Sequence, residues 1–88
     1  MDSRHFKPGD LVTGIVSNRN YLVLMYDLQK KNPPEKYYPF YGYRFFLRVT
    51  LLEIHLNKKM PYDFRGHTED DIIKKLREDF YLKLRAGK

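Results

Sequence analysis

The 88-residue chain contains no cysteine. That excludes a disulfide framework and any zinc site built on thiolates, and it is compatible with a cytoplasmic location. Long hydrophobic runs are also missing. The longest, Tyr21-Leu22-Val23-Leu24-Met25-Tyr26, falls far short of the roughly 20 apolar residues that a membrane-spanning helix needs. The first residues, Met1-Asp2-Ser3-Arg4-His5-Phe6, lack the apolar stretch of a secretory signal. The three histidines, His5, His55 and His67, stand far apart without metal-ligand spacing, and each is expected at the surface. Asp10, Asp27, Glu53 and Asp63 could meet only through the fold. There is no Gly-x-Ser-x-Gly turn, glycine-rich phosphate loop or cofactor motif. The expectation is a binding protein rather than an enzyme, with no metal and no cofactor.

What is present is globular in character. The chain is 42% hydrophobic and 32% charged, which argues against wholesale disorder. Its length allows one domain with one modest core, burying roughly 60–65% of the unfolded surface. Eight Tyr and six Phe dominate the apolar set. Aromatic residues suit half-buried pleated surfaces, so the first two-thirds are expected to be strand-rich. The net charge is +6. Residues 1–66 hold eleven Lys/Arg against six Asp/Glu, whereas residues 67–88 hold six against five. The positive surplus therefore belongs to the strand-rich part, where it would attract phosphate backbones or acidic protein surfaces.

Residues 1–8 form a short leader in which Phe6 is placed to pack, and Pro8-Gly9 marks a turn. Leu11–Val16 reads as a strand, with Gly14 signalling a bend, a bulge or a close backbone approach. Ser17-Asn18-Arg19-Asn20 is turn chemistry, and Tyr21–Tyr26 is the return strand. Asp27–Tyr41 is a long connection whose Pro33-Pro34 pair cannot lie in a central strand. Tyr43–Leu56 is the clearest β segment. Tyr43, Phe45, Leu47, Val49 and Leu51 share one face, and Arg44, Phe46, Arg48 and Thr50 the other. The apolar parity then shifts to Leu52, Ile54 and Leu56, which predicts a sharp twist, a bulge or a break. Met60–Phe64 reads as an extended connection.

A helix is expected over 67–86. Thr68 supplies an N-cap, Asp71 stands three residues on as in a capping box, and Glu69, Asp70 and Asp71 suit the positive end of the dipole. Ile72, Ile73, Leu76, Phe80 and Leu84 make one apolar stripe. It would dock either on the body or on a partner.

The stretch Phe6-Lys7-Pro8-Gly9-Asp10-Leu11-Val12-Thr13-Gly14-Ile15-Val16 resembles the first strand of small β-barrels of the KOW and S1-like types. Those families are often found in ribosomal, transcription and translation proteins. The resemblance rests on Gly9 through Val16. It implies a barrel in which Gly9-Asp10 turns the chain inward and Gly14 lets the strand bend, and it implies RNA binding.

The sequence thus predicts an α+β fold: a small, strongly bent antiparallel sheet or barrel (9–66) with one C-terminal amphipathic helix. Arg44, Phe46 and Arg48 alternate along one strand face. Lys30, Lys31 and Lys36 come from the preceding loop, and Arg19 from the first hairpin tip. Cations for phosphates beside an aromatic plane for bases are what a nucleic-acid-binding sheet needs. The expected partner is RNA or DNA. The alternative is an acidic surface on a larger protein or ribonucleoprotein, such as a polymerase or ribosome. Neither reading involves a membrane. The short, Lys-, Asn- and Tyr-rich chain has the style of a phage or viral accessory protein.

Overall fold

The structure is a computed structural model that describes residues 4–30 and 44–87. Its elements are β1 (Leu11–Gly14), β2 (Asn20–Lys30), β3 (Phe45–Glu53), β4 (Lys58–Gly66), α1 (Glu69–Asp79) and β5 (Phe80–Leu84). The strands form one antiparallel sheet in the order β4-β3-β2-β1-β5. The expected α+β class is present, but the described strands do not close into a barrel: β4 and β5 remain its two edges. α1 packs on one face of this sheet, against β3, β4 and β5, where Ile72 and Leu76 join Leu47, Val49, Leu51, Phe64 and Phe80 in the core.

The faces of β3 follow the alternation. Leu47, Val49 and Leu51 are buried, Phe45 is half-buried, and Arg44 and Arg48 are exposed. Tyr43 lies outside the described residues. The anticipated parity switch after Thr50 does not occur. Glu53 continues the inward series at 1% exposure, while Ile54 and Leu56 stand exposed in the turn before β4. The Glu53 carboxylate explains this ending. It accepts the backbone N–H of His55 at 3.2 Å and of Leu56 at 2.6 Å, so a buried charge closes the turn. Asn57 completes the turn at φ 52°, a conformation that Asn tolerates. The parity switch lies in β2 instead. Val23 pairs with Leu51 and Met25 with Thr50, leaving Leu24 as an extra residue. Tyr21 and Val23 face inward before this bulge, and Tyr26 and Leu28 pack on the core after it.

β4 occupies the stretch that reads as an extended connection. Pro61 masks it as a strand, yet β4 is an edge, where a missing N–H is tolerated. β1 is shorter than expected, with Ile15 in the turn. A Cβ on Gly14 would meet Ser17 Oγ and approach the Tyr21 ring, so side chains rather than another backbone crowd this glycine.

The helix begins as predicted. Asp71 N–H donates to Thr68 Oγ1 at 3.1 Å, and Thr68 N–H donates to Asp71 Oδ2 at 3.3 Å, completing the capping box. It stops earlier than predicted, however. Phe80 turns extended (φ −140°, ψ 148°), and Phe80–Leu84 pairs with β1, Gly14 opposite Phe80 and Leu11 opposite Leu84. Only Ile72, Ile73 and Leu76 of the stripe form the buried helical face.

Two residues of the segment before β1, His5 and Phe6, are buried. Phe6 is buried, and the Arg77 guanidinium lies 4.8 Å from its ring centroid. His5, expected at the surface, is only 4% exposed. Its Nε2 lies 2.6 Å from Glu69 Oε1, and its Nδ1 meets the Tyr26 hydroxyl. A carboxylate only accepts, so Nε2 carries the proton, and in the neutral ring Nδ1 accepts from Tyr26. Asp10, at 0% exposure, accepts the N–H groups of Lys7 at 2.9 Å and Ala86 at 2.8 Å, joining the segment before β1 to the one after β5.

Candidate functional site

With α1 and the N-terminal segment on the inner face, strand alternation sets a second group of side chains on the outer face. Cross-strand register arranges them in rows. One row is Gln29, Phe46 and Arg65, and the next is Asp27, Arg48 and Asp63. Directly opposite side chains are neighbours, so each row is a contact unit.

Phe46 is the half-buried aromatic of this face. The guanidinium carbons of Arg48 and Arg65 each lie 5.7 Å from its ring centroid, within cation–π range. Arg44 is exposed at the same end, just before β3. Lys30 ends β2 opposite Phe45. The helix contributes Lys75, whose Nζ donates to the Arg65 carbonyl. On the outer face Arg48 and Arg65 therefore flank the Phe46 ring, whereas Lys30 and Lys75 belong to the helix side of the sheet.

The middle of the face is not purely basic. Arg48 Nε donates to Asp63 Oδ1 at 2.8 Å, and Nη2 donates to Oδ2 at 3.2 Å. The hydrogen bond to Asp63 raises the Arg48 pKa above its ordinary value, with a smaller contribution from the charge of Asp27. The same bond lowers the Asp63 carboxyl below the usual carboxylate range, with the charges of Arg48 and Arg65 acting in the same direction. An arginine between two aspartates leaves this row with a net negative charge. The positive field is consequently strongest at the Arg44, Phe46 and Arg65 end.

The alternation of β3 sets Arg44, Phe46 and Arg48 on one face, but Lys30 shares the inward side of β2 with Tyr26 and Leu28 and does not join them. Arg19 is separated from them. It lies exposed in the β1–β2 connection, about 30 Å along β2 from the Phe46 row at roughly 3.3 Å per residue. There it lines an open groove of about 440 Å³ with Leu11, Asn18, Asn20, Glu53, Ile54 and His55. Lys31 and Lys36 fall outside the described residues. Sequence reasoning missed Arg65 and the pairing partner Asp63. The signal was present: Met60, Tyr62 and Phe64 alternate with Pro61, Asp63 and Arg65, a strand pattern interrupted only by the proline.

Among the described residues, no group of three or more His, Cys, Asp or Glu side chains is placed to hold a metal ion. No described helix is long and apolar enough to cross a membrane. No protein-family model, curated protein or solved structure matches the chain.

Proposed function

We propose that this chain is a non-enzymatic, nucleic-acid-binding accessory protein that holds RNA or DNA on the outer sheet face at its Phe46 end. The observation that carries the reading is the placement of Phe46 on the helix-distal face with two guanidinium groups 5.7 Å from its ring centroid. An aromatic ring and guanidinium planes both stack on bases, and the same cations attract phosphates. Arg44 and Arg65 carry the electrostatic part, which reads backbone charge with little sequence preference. Stacking needs splayed bases, so a single strand is the preferred form.

Fluorescence anisotropy with labelled single-stranded RNA and DNA, over a salt series, tests this. Affinity should fall steeply as salt rises, because bound cations displace condensed counterions. Absence of binding to either polymer at low salt would overturn the proposal. The second reading, docking on an acidic protein surface, would use the same Arg44 and Arg65 end, because the row of Asp27, Arg48 and Asp63 is net negative and would repel such a partner.

A further inference from the structure

The two edges of the sheet meet through inner-face side chains. β4 and β5 lie at opposite ends of the strand order, yet the rings of Tyr62 and Phe80 have centroids 5.1 Å apart, with planes at 73°. Tyr21, from β2, stands 5.6 Å from Phe80 at 88°. These three rings border one notch of about 200 Å³, together with Val16, Ser17 and Asp79. Tyr21 and Phe80 are buried and make its floor, Tyr62 is half-buried, and Val16 at the mouth is 94% exposed. Gly14 also lines the notch, and a Cβ there would crowd Ser17 and Tyr21.

The lining is electron-rich. Aromatic faces carry negative potential. The Asp79 carboxylate has no ion-pair partner among the described residues. Asp79 is also the last residue of α1, where the helix dipole adds partial negative charge. Burial first, then Tyr21 and Asp79, raise the Tyr62 pKa, which sets that hydroxyl close to both. The hydroxyls of Ser17 and Tyr21 lie 3.2 Å apart beside the rings.

We propose that this notch is an aromatic cage for a small quaternary ammonium compound of the choline class. Three features select that ligand. Ring faces attract a cation by its charge and ask no hydrogen bond of it, which suits a trimethylammonium head better than a strongly hydrated primary ammonium. The volume falls below the roughly 300–1,000 Å³ of pockets for drug-sized ligands, so it suits one compact head. The Ser17 and Tyr21 hydroxyls can bond a short alcohol tail, whereas Asp79 would repel a carboxylate or phosphate tail. The three rings face the inner side of the sheet and Phe46 the outer, so the inference does not rest on nucleic-acid binding.

Choline chloride, titrated into the full chain at constant ionic strength, tests this by backbone-amide NMR. The Gly14, Ser17 and Phe80 signals should shift and saturate in the millimolar range. The uncharged analogue, with a tert-butyl group in place of trimethylammonium, should bind about tenfold more weakly. Tyr62→Leu should lose about tenfold in choline affinity, while Tyr62→Phe, which keeps the ring, should bind as the wild type does. Asp79→Asn should weaken choline and leave the uncharged analogue unchanged. Equal affinity for choline and its uncharged analogue overturns the inference, and that comparison needs no variant. A wild-type chain whose signals do not respond to choline overturns it too, as does a folded Tyr62→Leu chain that binds choline undiminished.

Discussion

Arg48 and Asp63 form a two-point ion pair across β3 and β4, with N–O distances of 2.8 and 3.2 Å, in the middle of the face proposed to bind nucleic acid. The pair holds the arginine in a fixed orientation and cancels its charge. Asp63 thus acts as a brake on the attraction of this surface for phosphates.

Asp63→Asn should therefore strengthen binding to single-stranded nucleic acid, by about three- to tenfold at low salt, and the gain should shrink as salt screens it. Acid should act in the same direction. The Asp63 carboxyl is held below its ordinary value of 3.8 by the bond to Arg48. Its stabilising contribution is present above that ordinary value and disappears as pH falls through the lowered one. Between about pH 5 and 8 the pair should stay intact and contribute no pH dependence. Anisotropy titrations of both proteins across pH check each part.

Phe46→Ala should cost roughly 1–3 kcal/mol of binding free energy if the ring stacks on a base. The ring lies on the outer face, so the melting temperature should change little. Arg44→Ala with Arg65→Ala should weaken binding to all sequences about equally and flatten the salt dependence, since phosphate contacts carry no sequence information. Loss of the melting transition in Phe46→Ala would mean that the ring is structural.

Leu76→Asp should unfold the domain. Leu76 is fully buried between α1 and the sheet, and a carboxylate there would have no partner. The milder Leu76→Ala should cost about 2–5 kcal/mol, measurable by urea denaturation. An unchanged midpoint in either variant would refute the docking of α1 on the body.

Tyr62 should ionise late. Burial raises its pKa above the ordinary 10.0, with smaller contributions from Tyr21 and Asp79. Its contribution to stability is complete below the ordinary value and lost as pH rises through the raised one. Ultraviolet absorbance titration should show a tyrosine ionising above the others, and Tyr62→Phe should remove that late component. A titration identical to that of Tyr62→Phe would contradict the burial of this hydroxyl.

Local chemistry made much of this protein legible from its sequence. Thr68 and Asp71 fix the start of α1 because a capping box needs only four consecutive residues. The β3 faces follow from side-chain alternation, which places Phe46 between Arg44 and Arg48 whatever the strand packs against. Asn18 at φ 56° and Asn57 at φ 52° mark their turns for reasons internal to the residue. What lies beyond a few residues was settled by tertiary structure. Phe80-Tyr81-Leu82-Lys83-Leu84 satisfies two patterns at once. Phe80 and Leu84 extend a helical stripe, while Phe80, Leu82 and Leu84 alternate as a strand does. The open edge of β1 decides between them, because its backbone groups need partners that a continued helix could not supply. Register likewise decides that Arg65 reaches Phe46 and that Arg19 does not. The position of Leu24 in β2, rather than any residue of β3, sets where the sheet changes its inward parity. Such outcomes depend on which strand lies beside which, and single-sequence periodicity is blind to that.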